Sequence, residues 1–151
     1  MKRSDVFRLY SKACEYAIRA FLCLADQRNK SNLTAREVCR RARIPESYTR
    51  KVFQALVRGK YLGAVPGNGG GYRLLRKPDK VSILEIIQAV DGKYTFERCI
   101  MGVSRCSCRR PCLLHSTWEA SKKSLLKELN AAHLEDLIRA GNYFSAGKAK
   151  S

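Results

Sequence analysis

The sequence has few acidic residues relative to basic ones. Its 13 Asp and Glu residues stand against 30 Lys and Arg residues, so the formal net charge is +17 at pH 7. A folded chain this basic usually binds a polyanion, and nucleic acid is the commonest one. A solvated basic surface or a protein bound to a membrane surface is the alternative.

Long apolar stretches are also missing. No apolar run reaches the ~18 residues that a membrane-spanning helix requires. The opening MKRSDVFRLYSK lacks the apolar core of a signal peptide. We therefore expect a cytoplasmic protein with no membrane partner, in which seven cysteines favour metal or redox roles over disulfides. The hydrophobic content of 45% over 151 residues is typical of a folded domain.

Three predicted helices in the first part of the chain indicate a helix-turn-helix motif. Apolar residues recur at spacings of three and four over 8–27. Thr34 and Glu37 form a capping-box pattern that begins a helix over 35–42. A helix over 46–58 is apolar on one side and polar or basic on the other. In this motif the second helix of the pair, here the helix over 46–58, enters the major groove of DNA. An ordinary helical hairpin with a solvated face is the alternative.

The residues after this helix predict a β-hairpin. YLGAV over 61–65 and YRLLR over 72–76 have the composition of strands, and PGNGGG over 66–71 that of a turn. A hairpin directly after a recognition helix is the wing of a winged-helix domain. Its glycines let backbone amides approach phosphate groups closely. A tight hairpin whose glycines serve only the turn is the alternative.

The C-terminal part predicts three more helices and one long loop. One helix begins at the capping box of Ser82 and Glu85 and ends at Gly92. A long helix from 113 to 131 has an apolar stripe that needs a partner, either the first helix or the symmetry mate of a homodimer, and a short helix over 133–141 follows. The predicted fold is mainly α with a small β-hairpin wing. It divides into a winged helix-turn-helix domain over 1–92, a loop over 93–112, and a dimerisation helix and tail over 113–151.

The loop over 93–112 concentrates thiols among arginines. Cys99, Cys106 and Cys112 have the spacing C-x6-C-x5-C, Cys108 lies between the last two, and His115 follows Cys112 by three residues. This spacing differs from the paired CxxC motifs of structural zinc sites, and widely spaced thiolates suit an iron–sulfur cluster. Zinc binding and thiol redox switching are the alternatives. The other three cysteines lie in predicted helices and are interpreted as small buried hydrophobic residues: Cys14, Cys23 and Cys39.

These segments resemble the Rrf2 family of bacterial winged-helix transcription regulators. The resemblance covers about residues 8–140 and is carried by YSKACEYAIRAFLCLA, IPESYTRKVFQALVRGKYL, GNGGGYRL and VSILEIIQAVDG, in that order. The pattern C…C…CLLHSTW is most similar to the IscR branch, in which three cysteines and a histidine hold a 2Fe–2S cluster. The resemblance therefore implies that the cluster ligands are Cys99, Cys106, Cys112 and His115. It favours 2Fe–2S, with 4Fe–4S as the other possibility.

Four features depart from the IscR pattern, and the extra Cys108 is one of them. The gap between Cys99 and Cys106 is one residue longer, and Pro66 stands in the wing where an arginine is usual. Glu15 falls where NsrR-like and redox-sensing branches place a carboxylate ligand that reaches across the dimer. Glu15 is therefore the alternative fourth ligand.

The predicted function is regulation of transcription by an iron–sulfur protein. We expect a homodimeric repressor that binds a palindromic double-stranded DNA operator and senses iron–sulfur status, nitric oxide or redox state. A winged-helix regulator with a structural zinc or thiol-redox site is the alternative. No constellation of nucleophile and base indicates an enzyme. The predicted DNA contacts are Ser47, Tyr48, Arg50, Lys51 and Gln54 in the helix, and Gly69, Gly70, Gly71, Tyr72 and Arg73 in the wing.

Overall fold

The computed structural model describes residues 9–26, 32–102 and 109–141. In chain order the elements are α1 (Lys12–Ala25), α2 (Ala35–Ala42), α3 (Glu46–Arg58), β1 (Leu62–Val65), β2 (Gly71–Leu74), α4 (Ile83–Asp91), α5 (His115–Ala131) and α6 (Leu134–Ala140). A short 3-10 turn at Pro78–Lys80 precedes α4. The mainly α fold with a β-hairpin is confirmed. Over the described ranges, no helix is both long and apolar enough to cross a membrane.

Local capping fixes where the helices begin. Thr34 and Glu37 form the predicted capping box at α2, with both reciprocal hydrogen bonds in place. Ser82 and Glu85 do the same at α4. The first helix begins at Lys12, later than predicted, because Ser11 adopts an extended backbone and its hydroxyl accepts a hydrogen bond from the Cys14 amide.

The core lies where α1 packs against α2, α3 and α4. Each of these helices is amphipathic and turns its apolar side inward. The most deeply buried large side chains come from all of them and from the strand and the last helix: Phe21, Val38, Val52, Leu56, Leu62, Ile86, Ile87 and Leu134. Packing α3 by its apolar side onto α1 leaves the opposite side of α3 in solvent.

The wing is a two-stranded antiparallel hairpin extended by a single further pairing. Leu62 of β1 pairs with Leu74 of β2, and Val65 pairs with Gly71. Leu33 then pairs with Tyr72 on the other side of β2, exchanging backbone hydrogen bonds of 2.7 and 3.2 Å. The pattern of the sequence does not reveal this bridge, because one isolated residue has no periodicity.

The C-terminal helices pack back onto the domain at two places. Leu125, Leu126 and Leu129 of α5 are partly buried against the core, and α5 lies next to α4. Backbone hydrogen bonds from Ile83 to Ala132 and from Leu134 to Val81 join the start of α6 to the start of α4. Within the single chain α5 therefore packs on α4, and the choice between the first helix and the symmetry mate of a homodimer as the partner of its apolar stripe stays a prediction. The helix begins at His115, two residues later than predicted, because Cys112 to His115 forms a turn closed by a 3.0 Å hydrogen bond.

Candidate DNA interface and cysteine loop

The solvent side of α3 borders a shallow groove of about 410 Å³ between α3 and α4. Four predicted DNA contacts line it together: Ser47, Arg50, Lys51 and Gln54. Arg58 continues the cationic side, and Ala89 and Val90 of α4 form the opposite wall. All four of these side chains are exposed to solvent. Exposed arginine, lysine and glutamine side chains on one helix provide the donors and acceptors that read base edges and phosphates.

Tyr48 has a different environment from the other predicted contacts on α3. Its ring meets the ring of Tyr16 edge-on, with 4.9 Å between the centroids. Lys12 and Arg19 of α1 lie over the Tyr16 ring at 5.2 and 5.6 Å. Tyr48 is half-buried and is not among the residues that line the groove. The aromatic pair therefore joins α1 to the first turn of α3.

The three consecutive glycines of the wing have different surroundings. A Cβ at Gly70 would lie 2.1 Å from the carbonyl oxygen of Val65, and a Cβ at Gly71 would lie 2.4 Å from that of Leu33. Both distances are far inside van der Waals contact, so the hairpin itself requires these two glycines. Gly69 has a φ of +75° and open space around its Cα. Of the three predicted contacts, Gly69 is the one with room for a phosphate group.

The other two predicted contacts in the wing, Tyr72 and Arg73, differ in their surroundings. The Tyr72 ring packs on Phe53 of α3 with 4.5 Å between the centroids, which sets the wing against the recognition helix. Arg73 is exposed. Arg76, just beyond β2, is engaged within the domain: its guanidinium lies 2.7 Å from Glu85 and donates to the Lys80 carbonyl.

The described part of the cysteine loop is closed at its base. Cys99 is buried, and Cys112 and His115 are half-buried. The Trp118 indole of α5 donates a 3.1 Å hydrogen bond to the Arg98 carbonyl, directly before Cys99. Cys112 and His115 belong to the turn that begins the same helix. The structure thus draws together the two ends of the segment that contains the predicted ligands.

Cys106, a predicted ligand, and Cys108 lie outside the described residues. Within the part of the chain that is described, no group of three or more His, Cys, Asp or Glu side chains is arranged to hold a metal ion. Cys14 is fully buried in α1, and this burial, reinforced by the nearby Asp91 carboxylate, raises the pKa of its thiol far above the usual range. Burial also raises the pKa of the Cys23 thiol. The neutral, buried Cys14 thiol agrees with its interpretation as a small buried hydrophobic residue, whereas Cys23 and Cys39 are only half-buried.

Glu15, the alternative fourth ligand, lies between two cations on α1. Its carboxylate oxygens are 2.6 Å from the Lys12 ammonium and 2.6 Å from the Arg19 guanidinium. Helical spacings of three and four place all three side chains on one face. The carboxylate is therefore already paired within its own helix.

One contact at the end of α4, just before the loop, could not be predicted from the sequence. Asp91, the last residue of α4, accepts a 2.7 Å hydrogen bond from the Ser11 amide, and its second oxygen accepts from the Ser11 hydroxyl. Ser11 caps α1, and Asp91 immediately precedes the loop. The two residues are 80 positions apart, so no local pattern in the sequence reveals the contact.

Comparison with known proteins finds a family that matches most of the chain. The family described as "Rrf2: Iron-dependent Transcriptional regulator" matches residues 10–140. The transcriptional regulator IscR of Sodalis glossinidius is 32% identical over 131 residues, which cover 87% of this chain and 78% of that protein. IscR of Xenorhabdus nematophila is 30% identical over 132 residues, covering 87% and 79%.

Solved structures share the fold at lower identity. IscR of T. potens has a TM-score of 0.68 and 20% identity, covering 97% of this chain and 95% of that chain. CymR of B. subtilis, described as a global cysteine regulator, has a TM-score of 0.70 and 17% identity, covering 87% and 96%. These matches show the winged-helix fold with its helical C-terminal extension.

Proposed function

Because the chain belongs to the Rrf2 family of transcriptional regulators, we propose that it regulates transcription through an iron–sulfur cluster bound at the cysteine loop. The chain is a DNA-binding regulator rather than an enzyme. The cluster, its ligands, the homodimer, and the assignment of the DNA-contacting residues are the proposed parts. In this proposal the protein represses transcription and responds to iron–sulfur status, nitric oxide or redox state.

The exposed side of α3 carries the DNA-binding part of the proposal. Arg50, Lys51 and Gln54 stand together on a groove next to α4, and Ser47 begins that row. A positively charged, hydrogen-bonding helix face of this kind reads base edges in the major groove. The wing lies beside α3, with Gly69 at its exposed tip and the exposed Arg73 on β2, opposite Gly63.

The observation that carries the cluster assignment is the hydrogen bond between Trp118 and Arg98. This bond ties the residue before Cys99 to α5, which begins at His115 directly after the turn that contains Cys112. Two thiols and an imidazole form a donor set that suits iron in a cluster, with Cys106 as the third thiolate. A bound cluster would supply reversible redox chemistry and sensitivity to iron supply.

Asp91 and Ser11 provide a route from the loop to the DNA-binding surface. The loop leaves α4 at Asp91, whose carboxylate holds the first turn of α1. On the same helix Tyr16 packs against Tyr48 of α3. A change in the loop that displaces Asp91 therefore reaches the recognition helix through two contacts. A regulator needs such a physical link between its two sites.

The homodimer is supported by the surface of the C-terminal region. None of the residues of α5 is buried in the single chain. Leu113 is 96% exposed and Leu114 is 39% exposed at the start of that helix. Large exposed apolar side chains at a helix end indicate a protein partner, and a second copy gives the two-fold symmetry of a palindromic operator.

The experiment combines cofactor analysis with operator selection. Protein purified without oxygen should be brown, with iron and inorganic sulfide in similar amounts, and should select one palindromic sequence from a random duplex library. A colourless protein that contains zinc, or no metal, would favour the alternative of a zinc or thiol-redox regulator. Arg50→Ala should lower affinity for the selected sequence by about 1–3 kcal/mol and relax its sequence preference. Arg139→Ala, an exposed arginine on α6, is the control.

A further inference from the structure

Two non-glycine residues in the described part of the chain have a left-handed backbone conformation, and both are basic. Arg43 has a φ of 53° and Lys60 has a φ of 57°. Arg43 ends α2, where its amide donates to the Cys39 carbonyl, and Lys60 follows the end of α3. Helices commonly end with a glycine or asparagine in this conformation, because a Cβ is disfavoured there. Capping alone therefore gives no reason for an arginine at 43.

Arg43 belongs to a basic surface beside the start of the recognition helix. Together with Arg36 and Arg40 of α2 it forms a row at helical spacings of four and three, and all three residues are exposed. In the described ranges, no ion pair with an acidic side chain involves any of the three. The end of α2 packs on the start of α3, since the Cys39 thiol lies 3.2 Å from the Thr49 hydroxyl. Arg43 lies three residues before Glu46, the first residue of α3.

Lys60 has the same backbone conformation at the other end of α3. It lies at the base of the wing, two residues before Leu62, which pairs with Leu74. The tip of the wing, around Gly69, is at the far end of the hairpin. A winged-helix recognition helix enters the groove by its N-terminal half, so Lys60 lies at the end that leaves the DNA. The chain thus offers a matched pair of strained, exposed cations, of which only one adjoins the proposed interface.

We propose that Arg43 is a phosphate anchor that binds the DNA backbone beside the groove entered by α3. This inference rests on the proposed function of α3. A guanidinium presents two parallel N–H donors that match a phosphate group, and backbone contacts fix the register of a recognition helix. The unfavourable backbone conformation is retained because a glycine could not make this contact. Arg40 and Arg36 extend the positive surface along α2.

The favourable interaction of a cation with the C-terminus of α2 is the competing explanation for Arg43. The same explanation applies equally to Lys60, which follows the C-terminus of α3. A purely structural role would therefore give the two residues the same behaviour. DNA binding separates them, because only Arg43 adjoins the first turn of α3.

The test measures the salt dependence of binding for Arg43→Asn, Arg43→Lys and Lys60→Asn. Asparagine tolerates the left-handed conformation, so these variants should keep the fold. The probe is a fluorescently labelled mixed-sequence duplex of about 30 base pairs, long enough for two half-sites. The logarithm of the association constant for DNA falls linearly with the logarithm of the salt concentration. Arg43→Asn should make this negative slope shallower by about 0.9 for each bound protomer. Arg43→Lys, which keeps the charge, and Lys60→Asn should keep the wild-type slope.

Thermal unfolding of the same proteins without DNA completes the test. Arg43→Asn should unfold at a temperature no lower than the wild type, since its side chain forms no ion pair within residues 9–26, 32–102 and 109–141. An unchanged slope for Arg43→Asn, or an equal decrease for Lys60→Asn, would overturn the anchor. If Arg50→Ala still relaxes specificity in that case, the proposed function stands without it. If the wild type shows no salt-dependent binding to duplex DNA, the proposed function itself fails.

Discussion

The Trp118 indole N–H donates a hydrogen bond to the Arg98 carbonyl at 3.1 Å, across 20 residues of sequence. Trp118 is the one tryptophan in the chain. Its ring lies one turn into α5, so the bond joins the rigid helix to the start of the cysteine loop. The bond turns a long loop into a closed one, which lowers the entropy that a bound group must overcome to order it.

Trp118→Phe should weaken the cysteine loop without unfolding the domain. Phenylalanine keeps an aromatic ring but lacks the N–H group, so the Arg98 carbonyl loses its donor. We expect less iron and sulfide per chain after anaerobic reconstitution and faster backbone hydrogen exchange near Cys99. A single hydrogen bond contributes about 0.5–1.5 kcal/mol, so thermal unfolding of the helical domain should change little.

The control is Tyr94→Phe, which removes a polar group from an exposed ring in the same loop. It should match the wild type in both measurements. Iron content and exchange rates that are the same in Trp118→Phe and in the wild type would show that the bond does not organise the loop.

Cys106 should be required for cluster binding, and Cys108 should be dispensable. Only Cys106 keeps the x5 gap to Cys112 that the family resemblance implies. Cys106→Ala and Cys108→Ala form a matched pair, because both remove one thiol from the same short segment. Iron content and visible absorbance without oxygen give the measurement. Loss of the cluster from Cys108→Ala alone, or equal loss from both, would reassign the ligand.

Glu85 should contribute stability that disappears at acidic pH. Burial raises its pKa, but hydrogen bonds from the Ser82 amide and pairing with Arg76 outweigh burial, so the pKa lies below its usual value. A carboxylate with a lowered folded-state pKa stabilises the fold above its unfolded-state pKa, and this contribution is lost as pH falls through the folded-state pKa. Glu85→Gln should therefore be less stable than the wild type near neutral pH.

The measurement is urea unfolding between about pH 6 and pH 3, where carboxylates in folded and unfolded chains titrate. The difference in unfolding free energy between the wild type and Glu85→Gln should shrink as the pH falls. Glu128→Gln, on an exposed part of α5 outside any capping box, is the control for loss of one carboxylate. A difference that stays constant or grows on acidification would contradict the expected sign.

Local chemistry made much of this fold predictable. The capping boxes at Thr34 and Ser82 and the glycine turn of the wing mark element boundaries, and the helices begin where those boxes lie. Pairs that are distant in sequence could not be predicted, because they depend on packing in three dimensions. The Asp91–Ser11 contact, the Leu33–Tyr72 bridge and the Trp118–Arg98 hydrogen bond are of this kind. Each links a motif visible in the sequence to a neighbour that the sequence does not specify.

The candidate DNA interface was likewise predictable only in part. Periodicity placed Ser47, Arg50, Lys51 and Gln54 on one face of α3, where the structure also places them. It could not distinguish Gly70 and Gly71, which close backbone approaches require, from Gly69, which has open space. It also could not show that Arg76 is held by Glu85 within the domain.

The fourth cluster ligand is the sharpest prediction of the proposed function, and we expect it to be His115. His115 begins α5 and shares a turn with Cys112, so both side chains arise from one rigid segment. Glu15 instead lies between Lys12 and Arg19 on α1. To bind iron in a partner subunit, Glu15 would have to leave two cations, each 2.6 Å away. A carboxylate is also a harder ligand than an imidazole and binds cluster iron more weakly.

Three variants separate the two candidates without depending on DNA binding. His115→Ala should lose the cluster or change its visible spectrum, while His115→Cys should keep a cluster with an altered spectrum, because a thiolate is also a cluster ligand. Glu15→Gln, which keeps the size of the side chain, should keep the wild-type spectrum. Loss of the cluster from Glu15→Gln, with an unchanged spectrum in His115→Ala, would assign the ligand to Glu15 and place the loop closer to the NsrR-like branch.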